Sequence, residues 1–507
     1  MSYSVLKEYV DLLEKNGLLV SSDVTGESLE LEVKDLTFDT REMKTGALFV
    51  CKGAHFKREY LDMAMSCGAV AYLSEIKYDD ADNGIIVSDI RSAMSALAKK
   101  FFDNAPSKLF SIGITGTKGK STTAYYMRAI INEYMRTTGG NDVAIISSID
   151  TYDGIVEKES HLTTPEAIDL FRHFDNAVRS DIRYLIMEVS SQALKYGRVT
   201  GINFDVACFN NIGTDHISPI EHPDFEDYYK SKLKIFDTCK AACINMDADF
   251  AKETLDYANG KCRIITYGSH ENDTVYCKYA EKRDDGIYFG VRTPEFDEEL
   301  SITMPGMFNV SNALAAVAMS YLAGIPLEYV RSGLRNARVG GRMQVYMSLD
   351  EKIAVIVDYA HNRMSFDALY SSVRVEYPGR DIITVFGCPG YKAYLRRTDL
   401  GELAGKNSSY VVITEEDSGE EPFVNIARDI AENVEAQGCP YDIIEDRGLA
   451  IRHAVLEYKS DKRIVLITGK GEETRQKRGT FYVDCPSDVE YTLDCLKEYD
   501  AAAVSAK

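Results

Sequence analysis

The sequence predicts an α/β protein of three domains built on mostly parallel, doubly wound sheets. At 507 residues the chain is longer than one hydrophobic core organises, so several domains are expected. Apolar runs of strand length alternate with helix-length stretches through most of it, the pattern of repeated βαβ units. Between Leu109 and Met127 an apolar strand enters a glycine-bearing loop and leaves as a helix, the local plan of a phosphate-binding turn.

Residues 1–105 form the first expected domain, with strands at Glu30–Thr37, Ala47–Cys51, Val70–Leu73 and Gly84–Val87. Asn104-Ala105-Pro106-Ser107 reads as a linker. Residues 106–336 form a central domain with the strand Leu109–Ile114, then Val143–Ser147, Tyr184–Glu188, Val206–Asn210 and Ala242–Asn245. Thr274–Met304 reads as antiparallel strands turning at Asp284-Asp285-Gly286. Val339-Gly340-Gly341 makes a flexible joint, a place for hinge motion, near the start of the third domain, residues 337–507. Its strands fall at Ile353–Asp358, Asp381–Phe386, Tyr410–Thr414 and Arg463–Thr468. Ligands of such sheets bind at carboxyl ends of strands and at domain junctions, so the site belongs between the domains.

Composition narrows the class. The formal net charge of −21 disfavours nucleic acid, whose phosphates need basic stripes. The stretch Met1–Glu8 is amphipathic with an early acid and unlike a leader, and no window reaches the apolar length of a membrane span. Eleven cysteines, an odd number, suggest reduced thiols and a cytoplasmic location. Cys239 and Cys243, one helical turn apart, read as helix packing residues; without a second Cys/His pair zinc is not expected.

The chemistry concentrates at strand ends. Gly116 and Gly119 let the backbone of Gly116-Thr117-Lys118-Gly119 aim N–H groups at phosphate oxygens; Lys120 would bridge β- and γ-phosphates and Ser121 would ligate Mg²⁺. The chain has Ile114 where the usual loop begins with glycine. An ATP-using protein is the expectation. Glu188 ends an apolar strand, where a Mg²⁺ ligand belongs beside such a loop, and His216 in Gly213-Thr214-Asp215-His216 is a second ligand candidate. Thr163-Thr164-Pro165-Glu166 turns into a helix near Ala167. Asp358-Tyr359-Ala360-His361 and Gly469-Lys470-Gly471-Glu472-Glu473 each end a third-domain strand.

Together these runs resemble the Mur ligases nearly end to end. The resemblance includes Asp39-Thr40-Arg41, Gly46–Val50, Gly116–Ser121, Leu162–Glu166, Met187–Leu194, Phe308–Ala313, Gly341-Arg342-Met343, Asp358–His361, Phe386-Gly387-Cys388 and Gly469-Lys470-Gly471. It implies an ATP- and Mg²⁺-dependent ligase of peptidoglycan synthesis, in the branch adding the third stem-peptide residue to UDP-N-acetylmuramoyl-L-Ala-D-Glu through an acyl phosphate. It also implies a monomer with a UDP-binding first domain, a central P-loop domain and a Rossmann-like third domain. Asp39, Thr40 and Arg41 then lie toward the uridine, and Thr163, Thr164, Ser190 and Arg198 hold the muramoyl peptide. Lys120 and Ser121 take phosphates and metal, with Glu188 and His216 as further metal ligands. Lys232 falls at the family's carbamylated lysine, which supports a second Mg²⁺; Lys230 and Lys234 compete for that assignment. Asn309 and Asn312 reach adenine, Arg342 the phosphates and Asp358 the ribose, with His361 close by. Lys120, Lys232, His216 and Arg342 form the catalytic set, acting by positioning and charge.

The amino acid is a separate question. Family members adding meso-diaminopimelate carry Asp-Asn-Pro-Arg, whose arginine clamps the extra carboxylate; this chain has Glu415-Glu416-Asp417-Ser418-Gly419-Glu420-Glu421-Pro422 instead. A five-acid loop with no arginine favours an ammonium, so lysine is expected, then ornithine. The loop also departs from the Asp-Asp-Pro-Asn form common in the lysine branch, although Lys52–Tyr60 and Glu221–Tyr228 lean toward that branch. Glu416, Asp417, Gly469 and Glu473 are candidates toward the side chain, and Lys392, Arg396 and Arg397 toward the α-carboxylate. Two alternatives stay open. One is a Mur-type ligase with another amine or acceptor, against which Thr163-Thr164-Pro165 with Glu188–Ser191 argues. The other is a non-catalytic ATP-binding partner, against which the joint presence of Lys120, Glu188, His216, Lys232, Arg342 and Asp358 argues.

Overall fold

The computed structural model describes residues 3–53, 56–160, 162–218 and 221–505. Ala54 and His55 of the Lys52–Tyr60 stretch, and Met1 and Ser2 of the N-terminal stretch, lie outside the described residues. No described helix is long and apolar enough to cross a membrane.

Three sheets carry the fold. The first orders its strands as Leu19–Ser22, Gly84–Val87, Ala71–Ser74, Ala47–Val50 and Asp35–Thr37, parallel except for the antiparallel edge Leu19–Ser22. That edge strand was not expected, because its burial alternates only weakly and half of it faces solvent. The expected strand Glu30–Thr37 shrinks to Asp35–Thr37; Gly26–Glu30 is instead a short 3₁₀ turn with no buried side chain, so nothing holds it extended against the sheet.

The central sheet has eleven strands. Phe110–Thr115 lies in its middle, paired in parallel with Tyr184–Glu188 on one side and Phe204–Phe209 on the other. Three adjacent carboxyl ends therefore deliver the phosphate loop, Glu188 and the Asn210–His216 run to one place. Val275–Arg283, Gly286–Arg292 and Asp297–Ile302 form the expected antiparallel extension. Cys239 and Cys243 are not helical: both lie on the strand Cys239–Asn245, where a spacing of four puts them on one face, and Cys243 sits opposite Cys208 of the next strand. A continuous strand buried on both faces outweighed the helical spacing.

The third sheet runs Gln344–Met347, Ile353–Asp358, Arg463–Thr468, Asp381–Phe386, Tyr410–Ile413 and Tyr441–Ile443, parallel apart from its first strand. One apolar cluster is continuous from the first sheet through the Ala167–Arg179 helix to one face of the central sheet; the third domain has its own cores. Where the domains join, Gly340 and Gly341 are packed closely: a Cβ on Gly340 would stand 2.1 Å from Glu472 Oε2 and one on Gly341 3.1 Å from the Glu472 nitrogen. Gly341 also has φ +65°, so glycine is required there for shape and for backbone conformation.

Candidate functional site

A cavity of about 540 Å³ opens between the carboxyl ends of the central and third sheets. On its central side Gly119, at φ +79°, begins the Lys120–Thr138 helix, whose free N–H groups face the cavity as an anion site. Its Cα stands so near Asn312 that an added Cβ would lie 2.1 Å from Asn312 Oδ1. Lys120 Nζ donates back to the Gly116 and Thr117 carbonyls at 3.0 and 3.3 Å. Lys118 Nζ lies 3.2 Å from His361 Nε2, and burial brings its pKa down to about 7.

Glu188 is buried and accepts from Ser148 through N–H at 2.9 Å and Oγ at 3.2 Å; Ser148 Oγ lies 3.0 Å from Ser121 Oγ. Ser148 was missed from sequence, although a serine after an apolar strand beside Tyr184–Glu188 was the available signal. His216 holds Glu221 through Nδ1 at 2.9 Å, which leaves Nε2 for a ligand. Among the described residues no three His, Cys, Asp or Glu side chains form a metal cage by themselves. A hydroxyl, one carboxylate and one imidazole on the wall of this cavity still fit Mg²⁺, which usually takes few protein ligands and completes its shell with phosphate and water.

Lys232 does not line this cavity. It is sealed behind the loop, donating to the Gly116 carbonyl at 2.9 Å and lying over the Tyr228 ring, and burial beside Lys120 holds its pKa well below the usual range. Lys230 is exposed and paired with Glu226 at 2.6 Å, and Lys234 is exposed, so Lys232 alone of the three is buried.

Across the cavity Asp358 accepts from the Met343 and Ala360 N–H groups, each at 2.8 Å, while burial raises its pKa. Arg342 lies over the Tyr359 ring and donates to Ser121 Oγ at 3.3 Å, crossing from one domain to the other. Asn309 and Asn312 are buried and joined by a 2.9 Å hydrogen bond. Asp215 bridges the domains, accepting from Arg396 at 2.9 Å and from Asn362 at 2.6 Å, and the Arg396 guanidinium, with His216 and Lys118 nearby, holds its carboxyl well below the usual range despite burial. Its bridging role was not read from sequence, because the partners lie well over a hundred residues away.

Thr163 lines the cavity, and Thr164 behind it ties several candidates together. Its hydroxyl donates to the Glu188 carbonyl at 2.9 Å, Ser190 N–H donates to it at 3.0 Å, and Arg198 donates to its carbonyl at 3.1 Å. Arg198 also pairs with Glu166 at 2.8 Å, and Lys52 of the first domain pairs with the same carboxylate. Asp39, Thr40 and Arg41 do not line the cavity; Asp39 caps the Thr40–Glu42 turn and holds Arg41 at 2.5 Å.

The acidic loop differs from the expectation. Glu415 is paired with Arg478 at 2.6 Å, Asp417 with Lys470 at 2.9 Å and Glu421 with Arg397 at 2.6 Å, so three of its five acids are neutralised by the chain's own cations. Those partners are distant in sequence, which is why the loop read as free negative charge. Arg397, also held by Asp429, does not line the cavity; Lys392 and Arg396 do. Glu416 also lines it, and burial pushes its carboxyl up to about 7. Gly469 approaches so closely that a Cβ would lie 2.1 Å from Glu416 Oε2. Glu473 is turned away, bonded to Tyr359 and paired with Lys470 at 2.8 Å, and lines a separate smaller cavity.

A phosphate loop and carboxylate on one wall, faced by cations and carboxylates from a second α/β domain, define a nucleotide-dependent enzyme that works in a cleft between domains. Residues 114–320 match the Mur ligase middle domain and residues 341–471 the Mur ligase, glutamate ligase domain. The chain belongs to the Mur ligase family and is a ligase. It is 37% identical over 93% of its length, and 92% of the other's, to UDP-N-acetylmuramoyl-L-alanyl-D-glutamate–L-lysine ligase of Enterococcus faecalis. It is 35% identical over 92% of its length, and 94% of the other's, to UDP-N-acetylmuramyl-tripeptide synthetase of Bifidobacterium longum. Among solved structures it shares its fold with MurF from Acinetobacter baumannii, at TM-score 0.67 and 19% identity over 98% of this chain and 99% of the other.

Proposed function

We propose that this ligase joins L-lysine to UDP-N-acetylmuramoyl-L-Ala-D-Glu at the expense of ATP, extending the stem peptide of a cell-wall precursor. The observation that carries the choice of amine is Glu416, a buried carboxylate on the cavity wall whose neighbours in the acidic loop are already spent on internal ion pairs. The names of the relatives point the same way. The proposed boundaries are a UDP-substrate domain over 1–105, an ATP domain over 106–336 and an amino-acid domain over 337–507, acting as a cytoplasmic monomer.

The order of events is the one that membership of the family implies, with these residues in the following parts. Phosphate oxygens lie on the N–H groups of the Lys120–Thr138 helix, with Lys118, Lys120 and Arg342 to hold them. Asn309, Asn312 and Asp358 receive the nucleoside. Thr163, Ser190 and Arg198 set the dipeptide so that its terminal carboxylate attacks the γ-phosphorus in line, giving an acyl phosphate and ADP. Lys392 and Arg396 orient the lysine α-carboxylate, its α-amine attacks the acyl carbon, and phosphate leaves. Ser121, Glu188 and His216 would hold Mg²⁺, which neutralises charge on the phosphates. Burial disfavours the charged form of Lys232 and so favours the amine that adds CO₂, and the resulting carbamate would offer oxygen to a metal.

ATP-dependent phosphate release with the dipeptide precursor, run separately with lysine, ornithine and meso-diaminopimelate, tests the assignment. Turnover with lysine is expected. Turnover with diaminopimelate alone would keep the ligase and refute the part given to Glu416.

A further inference from the structure

The Arg363–Glu376 helix of the third domain lies along the cavity, lining it with Met364, Ser365 and Ala368. Its 14 residues, at about 1.5 Å each, make it roughly 21 Å long. Both ends are tied to the central domain. At the start, Asn362 donates from Nδ2 to Asp215 at 2.6 Å. At the finish, Glu376 Oε1 accepts the Gly306 N–H at 2.7 Å, and Oε2 is buried without a partner. A carboxylate half satisfied in an interface is costly to keep unless the contact serves something.

What it holds is the loop before the Asn309–Ala323 helix. Gly306 has φ +93°, and a Cβ there would lie 2.7 Å from the Phe308 ring. Phe308 lines the cavity and packs against the hydrophobic cluster of the third domain. The same loop fixes Asn309, whose Nδ2 donates to the Pro305 carbonyl at 2.7 Å, and Asn309 Oδ1 then accepts from Asn312 at 2.9 Å. A short path thus runs from a third-domain carboxylate, through one loop, to both asparagines.

We propose that Glu376 is a positioning residue that clasps the Gly306–Phe308 loop from the third domain, so that orienting Asn309 and Asn312 for the base of the nucleotide and docking the third domain are one event. The inference rests on the reading of this cavity as the nucleotide site. A helix-end carboxylate serving packing alone would lower stability when removed and leave nucleotide affinity as it was.

The test uses the full chain, a fluorescent ADP analogue followed by anisotropy, the KM values for ATP and lysine, and the radius of gyration with and without ADP. Glu376→Ala is expected to weaken ADP about tenfold and raise the KM for ATP, with the KM for lysine unchanged and less compaction by ADP. Glu376→Gln keeps an oxygen acceptor and is expected to restore most of the affinity. Phe308→Leu, which loosens the same loop without touching the carboxylate, is expected to move ADP affinity in the same direction and serves if the alanine variant does not fold. ADP binding by Glu376→Ala or Phe308→Leu at the unaltered affinity would overturn the clasp. Failure of the unaltered chain to bind ADP would overturn the nucleotide reading and the clasp with it.

Discussion

Replacing Glu416 by glutamine removes the one acid of its loop that faces the cavity unspent. In the free protein burial pushes its carboxyl up to about 7, against an ordinary value of 4.5, so at neutral pH it is roughly half ionised. An ammonium placed against it would stabilise the ionised form. Losing one partner of such a buried pair costs about 2–4 kcal/mol, or roughly 30- to 1,000-fold in kcat/KM for lysine. Two pH signatures follow. The KM for lysine should rise about tenfold per pH unit below 7, and Glu416→Gln should flatten that limb. For stability the sign is opposite. An acid whose pKa is raised on folding contributes most below its unfolded value and loses that contribution as pH rises through its folded value. The glutamine variant should therefore melt higher than the parent at pH 8 while losing lysine turnover. Steady-state kinetics from pH 5.5 to 8.5 and melting curves over the same range decide it. A variant with the parental lysine profile would refute the assignment.

Two other substitutions probe the phosphate side. Lys232→Ala should abolish turnover in a way that added bicarbonate does not restore and short carboxylates partly rescue; full activity would remove Lys232 from the mechanism. Gly119→Ala pairs a strained φ with a Cβ 2.1 Å from Asn312 Oδ1, and should weaken nucleotide binding by at least tenfold in an ADP titration while the dipeptide still binds.

How much was legible divides along one physical line. In a parallel sheet each strand's carboxyl end is next to its neighbours', so Lys120, Glu188 and His216 could be placed on one sheet's edge, and Asp358 and Gly469 on another's, from local pattern alone. The strands Tyr184–Glu188, Ile353–Asp358 and Asp381–Phe386 were read to the residue, because a run buried on both faces is continuous and apolar. Charge pairing has no such local signature. Glu415 finds Arg478 sixty-three residues on, so the loop's apparent surplus of acid was invisible as a neutralised network. Leu19–Ser22 escaped for the complementary reason: an edge strand half in solvent leaves a faint pattern.

That pairing also decides how the site meets a polyanion. The half-buried Lys118 and Lys120 and the buried Lys232 lie near one another, and desolvation lowers the pKa of each, Lys118 to about 7. Before nucleotide arrives the phosphate pocket is partly discharged, which relieves repulsion among its own cations. Phosphate oxygens reverse the balance, because a nearby anion favours the protonated amine. Nucleotide binding should then take up protons above pH 7. From Lys118 alone, about 0.9 proton is expected per nucleotide at pH 8 and about 0.1 at pH 6, since the ionised fraction changes tenfold per unit. Affinity should fall as pH rises across that window, by linkage. Calorimetry of ADP binding in two buffers with different ionisation enthalpies reads the uptake directly. Heats at pH 8 that do not depend on the buffer would mean that Lys118 is already charged in the free protein, and that its ion pair with Asp215, at 3.8 Å, outweighs its burial.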